Sequence, residues 1–206
     1  MVIAINDLNN LHIDVLREIG NIGAGNAATA LSKMLDRKID MEVPKVKILE
    51  FKDVSETLGG AEIPVVGILL KVSGDLTGSI MFILKYRDAN ILVNILMSRP
   101  MQESNEFSEM DISALKEVGN ILTGSYLSAL AALTNLKIRS SVPDMAIDMA
   151  GAILSVPAIE FGKVGDTVLY IETEFSQENT KVVGDFFLIP DVDTYDILLK
   201  ALGVIE

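Results

Sequence analysis

Apolar and polar positions along the chain separate into segments of different rhythm. Residues 7–35 and 109–134 predict two long helices, the first capped near Asn6 or Asp7. Alternating Met41, Val43 and Val46-Ile48 predict an extended segment over 39–51. Residues 63–73 and 77–85 read as paired strands turning at Gly74-Asp75. A short helix is expected over 87–98, ended by Pro100 and followed by a polar, acidic linker, Met101–Phe107. After the second long helix, Ile138–Val142 reads as extended and Met145–Leu154 as a short helix. Strands at 167–175 and 181–189 follow, and Pro190 punctuates the entry to a last helix at 193–202.

The order of elements repeats because the sequence repeats. Residues 16–31 read LREIGNIGAGNAATAL and residues 115–130 read LKEVGNILTGSYLSAL; eight of the sixteen positions are identical at an offset of 99. Residues 78–96 and 184–202 echo each other at an offset of 106, each running glycine, apolar strand, polar turn and short helix. The expected fold is α/β of the α+β kind: one domain over 1–206 built from repeats at about 7–100 and 108–206. Its antiparallel sheet is pseudo-two-fold symmetric and carries the two long helices. A duplication that puts both symmetric halves in one chain favours a monomer.

Within the repeat lies a polar pattern, Asp14-x-x-x-Glu18-x-x-Asn21 and Ser113-x-x-x-Glu117-x-x-Asn120. On a helix, i, i+4 and i+7 form one stripe, which Gly25 and Gly124 extend. Glycine inside a helix costs roughly 1 kcal/mol relative to alanine and lets another body approach closely. Ile19, Ile22 and Ala30-Leu31, with Val118, Ile121 and Leu130, are expected to form the buried side, and Gly20, Gly23, Ala24 and Ala27-Ala28 to permit close packing. A glutamate can grip a lysine or arginine. An asparagine amide can hold a water in line with an electrophile without removing a proton, as a glutamine does in GTPases.

Composition narrows the alternatives. The chain has 206 residues, and half are apolar, enough for a sizeable core. The longest apolar run, near Ile63–Leu70, is of strand length, so no membrane span is expected. There are no cysteines, hence no thiolate nucleophile or disulfide, and no secretory signal is read at Met1–Asp7; both fit a cytoplasmic protein. Net charge is −12, which repels nucleic acid and anionic lipid. The single histidine, His12, has no second histidine or cysteine with which to build a triad or metal site, and reads as a helix-start residue.

The doubled motif, set in Glu-Ile/Val-Gly-Asn-Ile-x-x-Gly, resembles the CheC/CheX/FliY group of chemotaxis phosphatases over essentially the whole chain. Two motifs, the length and the early motif helix favour its CheC branch over CheX-like proteins with one motif or FliY-like proteins with a further flagellar-switch domain. The resemblance implies hydrolysis of the aspartyl phosphate on phosphorylated CheY. Asn21 and Asn120 would orient the attacking water, and Glu18 and Glu117 would grip the regulator's lysine. Asp14 and Ser113 would support the docking face. Mg2+ would be supplied on the CheY partner, with no cofactor or metal bound by this chain. It also implies binding of the deamidase CheD, which raises activity, through the segment Met145–Leu154, with Asp148 the residue to test. An adaptor that chiefly sequesters CheD, or a FliY-like switch component, is the competing expectation.

Overall fold

The computed structural model describes residues 10–100, 106–160, 167–177, 180–201 and 203. Helix α1 spans Asn10–Leu35 and is followed by strand β1, Asp40–Glu50. A single 3-10 turn, Phe51–Asp53, leads into the short helix α2, Val54–Leu58. Strands β2, Pro64–Gly74, and β3, Gly78–Lys85, precede α3, Tyr86–Leu96. The second half runs α4, Glu109–Thr134; β4, Ile138–Ser140; β5, Asp144–Met149; and α5, Ala150–Glu160. It closes with β6, Thr167–Gln177; β7, Thr180–Pro190; and α6, Val192–Ala201. The expected cap at Asn6 or Asp7 lies outside the described residues.

One antiparallel sheet holds all the strands in the order β1-β6-β7-β3-β2-β4, with β5 also pairing β2. That order is a palindrome. The hairpin β2-β3 matches β6-β7, and the edge strand β1 matches the broken edge β4 plus β5. Met81 lies directly opposite Phe187, its echo at the offset of 106, so the pseudo-two-fold axis passes between this pair. The duplication read from the sequence is therefore a symmetry of the sheet.

Helices cover the two faces unequally. The large core packs α1, α3, α4 and α6 onto one face, around Ile68, Phe82, Phe186 and Leu188. The smaller core packs α2 and α5 onto the other, around Val65, Met81, Ile83 and Phe187. Helices α1 and α4 also pack on each other, and Tyr126 of α4 is the tightest point. A Cβ on Gly23 would stand 2.6 Å from Tyr126 Cδ1 and 3.0 Å from its Cα. The Tyr126 ring lies 4.7 Å from Phe186, and its hydroxyl is 3.0 Å from Thr173 Oγ1. Burial pushes the Tyr126 phenol up to about 12, so it stays protonated. On α4, Gly119, the echo of Gly20, lets the helix sit close on β2, since a Cβ there would lie 2.8 Å from Ile68. The small residues singled out in the sequence serve this close packing.

The start of α4 is pinned from two sides. Ser108 Oγ accepts from the Asp111 N–H at 3.3 Å, and Asp111 Oδ2 accepts from the Ser108 N–H at 2.9 Å, closing a capping box. Arg99, just beyond α3, reaches Asp111 Oδ1 at 2.8 Å. Burial pushes the Asp111 carboxyl up, but the Ser108 hydrogen bonds and the Arg99 guanidinium outweigh it and hold it below the usual carboxylate range.

One predicted element is corrected. Residues Asp144–Met149 form a strand, and the helix begins only at Ala150. The run Ala-Ile-Asp-Met-Ala-Gly-Ala-Ile-Leu carries no strong local signal, and the open edge of β2 decides it. Leu69 pairs Asp144 and Pro64 pairs Met149, satisfying backbone groups that a helix there would leave bare. Among the described residues, no helix is long and apolar enough to cross a membrane.

The α2-side face of the sheet carries a buried acid. Asp185 is 6% exposed. Tyr170 Oη lies 2.7 Å from Asp185 Oδ1 and 3.1 Å from Glu172 Oε2. One hydroxyl proton cannot serve both carboxylates, so the cluster favours a second proton on a carboxyl. Burial pushes Asp185 up to about 6, Glu172 and Asp88 adding to the push while the Tyr170 hydrogen bond and Lys85 oppose it. Between about pH 3.8, the ordinary carboxyl value, and about 6, the folded chain holds a proton that the unfolded chain releases. The stability this contributes is present in full below that window, falls as pH rises and is lost above it. Asp185→Asn cannot ionise. Its stability relative to the native chain should therefore rise on the order of 2 kcal/mol from pH 4 to pH 7 in urea unfolding. Parallel pH profiles for the two proteins would contradict this assignment.

Candidate functional site

The polar stripe of α1 faces outward. Asp14, Glu18, Asn21 and Gly25 are all exposed, while Leu16, Ile19, Gly20, Gly23, Ala24 and Ala27 on the other side of the helix are buried. Helix α4 repeats the arrangement. Ser113, Glu117 and Asn120 are exposed, Gly124 is half-buried, and Leu115, Val118, Gly119 and Leu122 are buried. The structure thus brings each motif together on one helix surface, once per repeat. His12 lies on α1, but its side chain is outside what is described.

The glycines separate into two kinds. At Gly20 a Cβ would stand 3.3 Å from Val43, and at Gly23 and Gly119 it would collide with a neighbour. At Gly25 and Gly124 a Cβ would meet nothing within 4 Å. The first kind is bare because the chain's own packing requires it. The second kind is bare with no internal reason, at the helix-propensity cost glycine carries.

Asp14 and Ser113 each have a partner on their own helix. Arg17 Nη1 donates to Asp14 Oδ1 at 3.0 Å, an exposed pair of small energetic weight. Ser113 Oγ donates to the Glu109 carbonyl at 2.9 Å. The two copies therefore differ in charge at this position: an ion-paired carboxylate on α1, a neutral hydroxyl bonded back to the backbone on α4.

One expected core residue belongs to the surface. Ile22 is 38% exposed, directly after Asn21, and does not join the buried side. Its sequence context, Gly-Asn-Ile-Gly, reads as core. The turn of α1 imposed by Gly20 against Val43 and Gly23 against Tyr126 leaves Ile22 at the edge of the packed face. An apolar side chain beside Glu18 and Asn21 gives the stripe a hydrophobic contact surface that sequence reasoning assigned to the interior.

Asp148 is also corrected. It lies on β5 rather than on a helix, opposite Val65, and so on the sheet face that carries α2 and α5. Its side chain is exposed and Oδ1 accepts from the Met149 N–H at 2.7 Å. The motif helices cover the opposite face, so the two candidate contact surfaces do not overlap. Among the described residues, no group of three or more His, Cys, Asp or Glu side chains stands close enough to hold a metal ion.

A model described as the CheC-like family matches residues 11–48 and again 110–147, each match containing one copy of the motif. The chain is 42% identical to the CheY-P phosphatase CheC of Bacillus subtilis over 202 residues, covering 96% of this chain and 97% of the relative. It is 28% identical over 140 residues to the flagellar motor switch phosphatase FliY of the same organism, covering 68% of this chain and 36% of that relative. The crystal structure of Thermotoga maritima FliY superposes with a TM-score of 0.77 at 25% identity, covering 96% of this chain and 98% of that one. The doubled motif, the palindromic sheet that carries it and the full-length likeness agree: this chain belongs to the CheC-like family.

Proposed function

We propose that the protein hydrolyses the aspartyl phosphate of phosphorylated CheY. The observation that carries this reading is the open space at Gly25 and Gly124, next to exposed Glu18-Asn21 and Glu117-Asn120. Nothing in the chain itself requires those glycines, so they clear the approach of another molecule. The full-length relative bearing the name CheY-P phosphatase supports the choice of partner.

The chain's own residues then have a limited task. Glu18 or Glu117 draws in a lysine of the regulator through a charge-assisted hydrogen bond. Asn21 or Asn120 enters beside the phosphoryl group and holds a water in line with phosphorus, its amide supplying both a donor and an acceptor. The water oxygen bonds to phosphorus, the bond to the aspartyl oxygen breaks, and the regulator's carboxylate departs. The chemistry needs no strong base because an acyl phosphate is already activated. Mg2+ comes with the regulator and offsets charge on the phosphoryl oxygens. Each motif is half of an active site, and one chain offers two, so a monomer suffices.

A second contact is supported by the position of Asp148. It lies exposed on the sheet face that carries α5, away from the motif helices. This surface suits CheD, whose docking would leave both motif stripes open.

Three outcomes test these assignments. With Asn21→Ala and Asn120→Ala combined, radiolabelled CheY-phosphate should decay at its intrinsic rate; acceleration equal to that of the native protein would sink the catalytic roles. Gly25→Ala with Gly124→Ala should raise unfolding stability by about 1 kcal/mol per site while slowing hydrolysis roughly tenfold, whereas Gly23→Ala should destabilise. Full activity in the stabilised double variant would remove the argument from open space. Asp148→Lys should abolish CheD binding in a pull-down and leave unstimulated phosphatase activity intact. Undiminished CheD capture would move that contact elsewhere.

A further inference from the structure

On the sheet face opposite the motif helices, between the β1 edge and the start of α3, lies a cavity of about 300 Å3 that the reaction above does not use. Its floor is the Tyr170, Asp185 and Glu172 cluster of β6 and β7, and Lys47, Lys85 and Asp88 stand around it. Lys45 is held by Glu172 at 3.0 Å. Lys47 has no ion-pair partner among the described residues. Lys85 is close enough to Asp88 and Asp185 to influence both, without closing an ion pair to either.

Internal symmetry shows that the fold does not demand a buried acid or a phenol here. Across one row the sheet reads Lys47, Tyr170, Phe187, Met81, Leu69, Asp144. The pseudo-two-fold axis exchanges Phe187 with Met81 and Tyr170 with Leu69. The same operation takes Asp185 to Ser79 and Glu172 to Lys71, and a neighbouring groove in the other half is lined by Leu69, Met81, Ile153 and Val156 together with Asp144. One half therefore builds this place with a leucine and a serine where the other has Tyr170 and Asp185. The other buries an acid there beside a second acid and a phenol, a costly arrangement of the kind that functional sites carry.

We propose that this cavity binds a small zwitterion of the α-amino-acid class. Its ammonium would face Asp185 and Asp88, and its carboxylate Lys47 and Lys85. A simple anion would be drawn to the lysines but repelled by three carboxyls, and a simple cation would meet three ammonium groups. A molecule carrying both charges a few bonds apart matches the mixed lining. The volume lies at the small end of ligand pockets, which suits a molecule of amino-acid size. The site is separate from the phosphatase stripe and does not rest on that function.

Titration calorimetry of the full chain with each common L-amino acid, and with acetate and methylammonium as single-charge probes, tests the proposal. At least one amino acid should give saturable heat with a Kd below about 1 mM, and both single-charge probes should bind at least about tenfold more weakly. Lys47→Met and Asp185→Asn should each weaken the amino acid about tenfold. Lys47 is exposed, so its variant keeps the test intact if Asp185→Asn disturbs folding, which circular dichroism would show. No saturable heat with any amino acid, a single-charge probe that binds as tightly, or an affinity unchanged by Lys47→Met would each overturn it.

Discussion

The contact between Tyr126 and the bare Cα of Gly23 governs the arrangement of the motif helices. It lets α1 and α4 approach to backbone distance while the tyrosine ring reaches past α1 to Phe186 and its hydroxyl to Thr173. One side chain thus joins both long helices and two strands of the sheet. Each helix is left with one buried and one solvated side, and the polar stripe is the solvated one. A side chain at position 23 would push the helices apart and rotate both stripes.

Helix α1 shows how packing and recognition divide one kind of residue between them. Gly20 and Gly23 are absent side chains that the fold needs. Gly25, two positions on, is an absent side chain that the fold does not need, and its echo Gly124 behaves alike. The same distinction applies to apolar groups. Ile19 is buried, and Ile22, less than one turn later, meets solvent beside Asn21. In the proposed reaction the chain supplies only a glutamate and an amide, which must stand where a partner's reactive group can reach, and a rigid two-helix layer on a sheet would hold them there.

Duplication gives the molecule two similar faces that have drifted apart. On the helix layer the copies kept Glu and Asn, yet Asp14 pairs with Arg17 where Ser113 turns back to its own helix. On the other side of the sheet the drift is larger. The half that contains β1 has an unbroken edge strand and a charged cavity. In the other half the edge breaks into β4 and β5, and a leucine and a serine stand where the first half has Tyr170 and Asp185. Symmetry preserved what the sheet centre requires, as in the Met81–Phe187 pair on the axis, and left the periphery free to specialise.

The sequence by itself determined the two long helices, the hairpins, the duplication and the Glu–Asn stripe. Each rests on local periodicity or on self-similarity, which need no knowledge of distant neighbours. It also marked Gly25 and Gly124, but could not separate them from Gly23 and Gly119, because that difference lies in what stands across the gap. Only the tertiary structure decided that Asp144–Met149 is a strand, since its hydrogen-bonding partner is the edge of β2, more than sixty residues earlier. The same holds for Ile22 at the surface and for Asp148 on the far face. The charged cavity was invisible in sequence for the same reason: Lys47, Lys85, Tyr170 and Asp185 come from four separate strands, and only the sheet's register makes them neighbours.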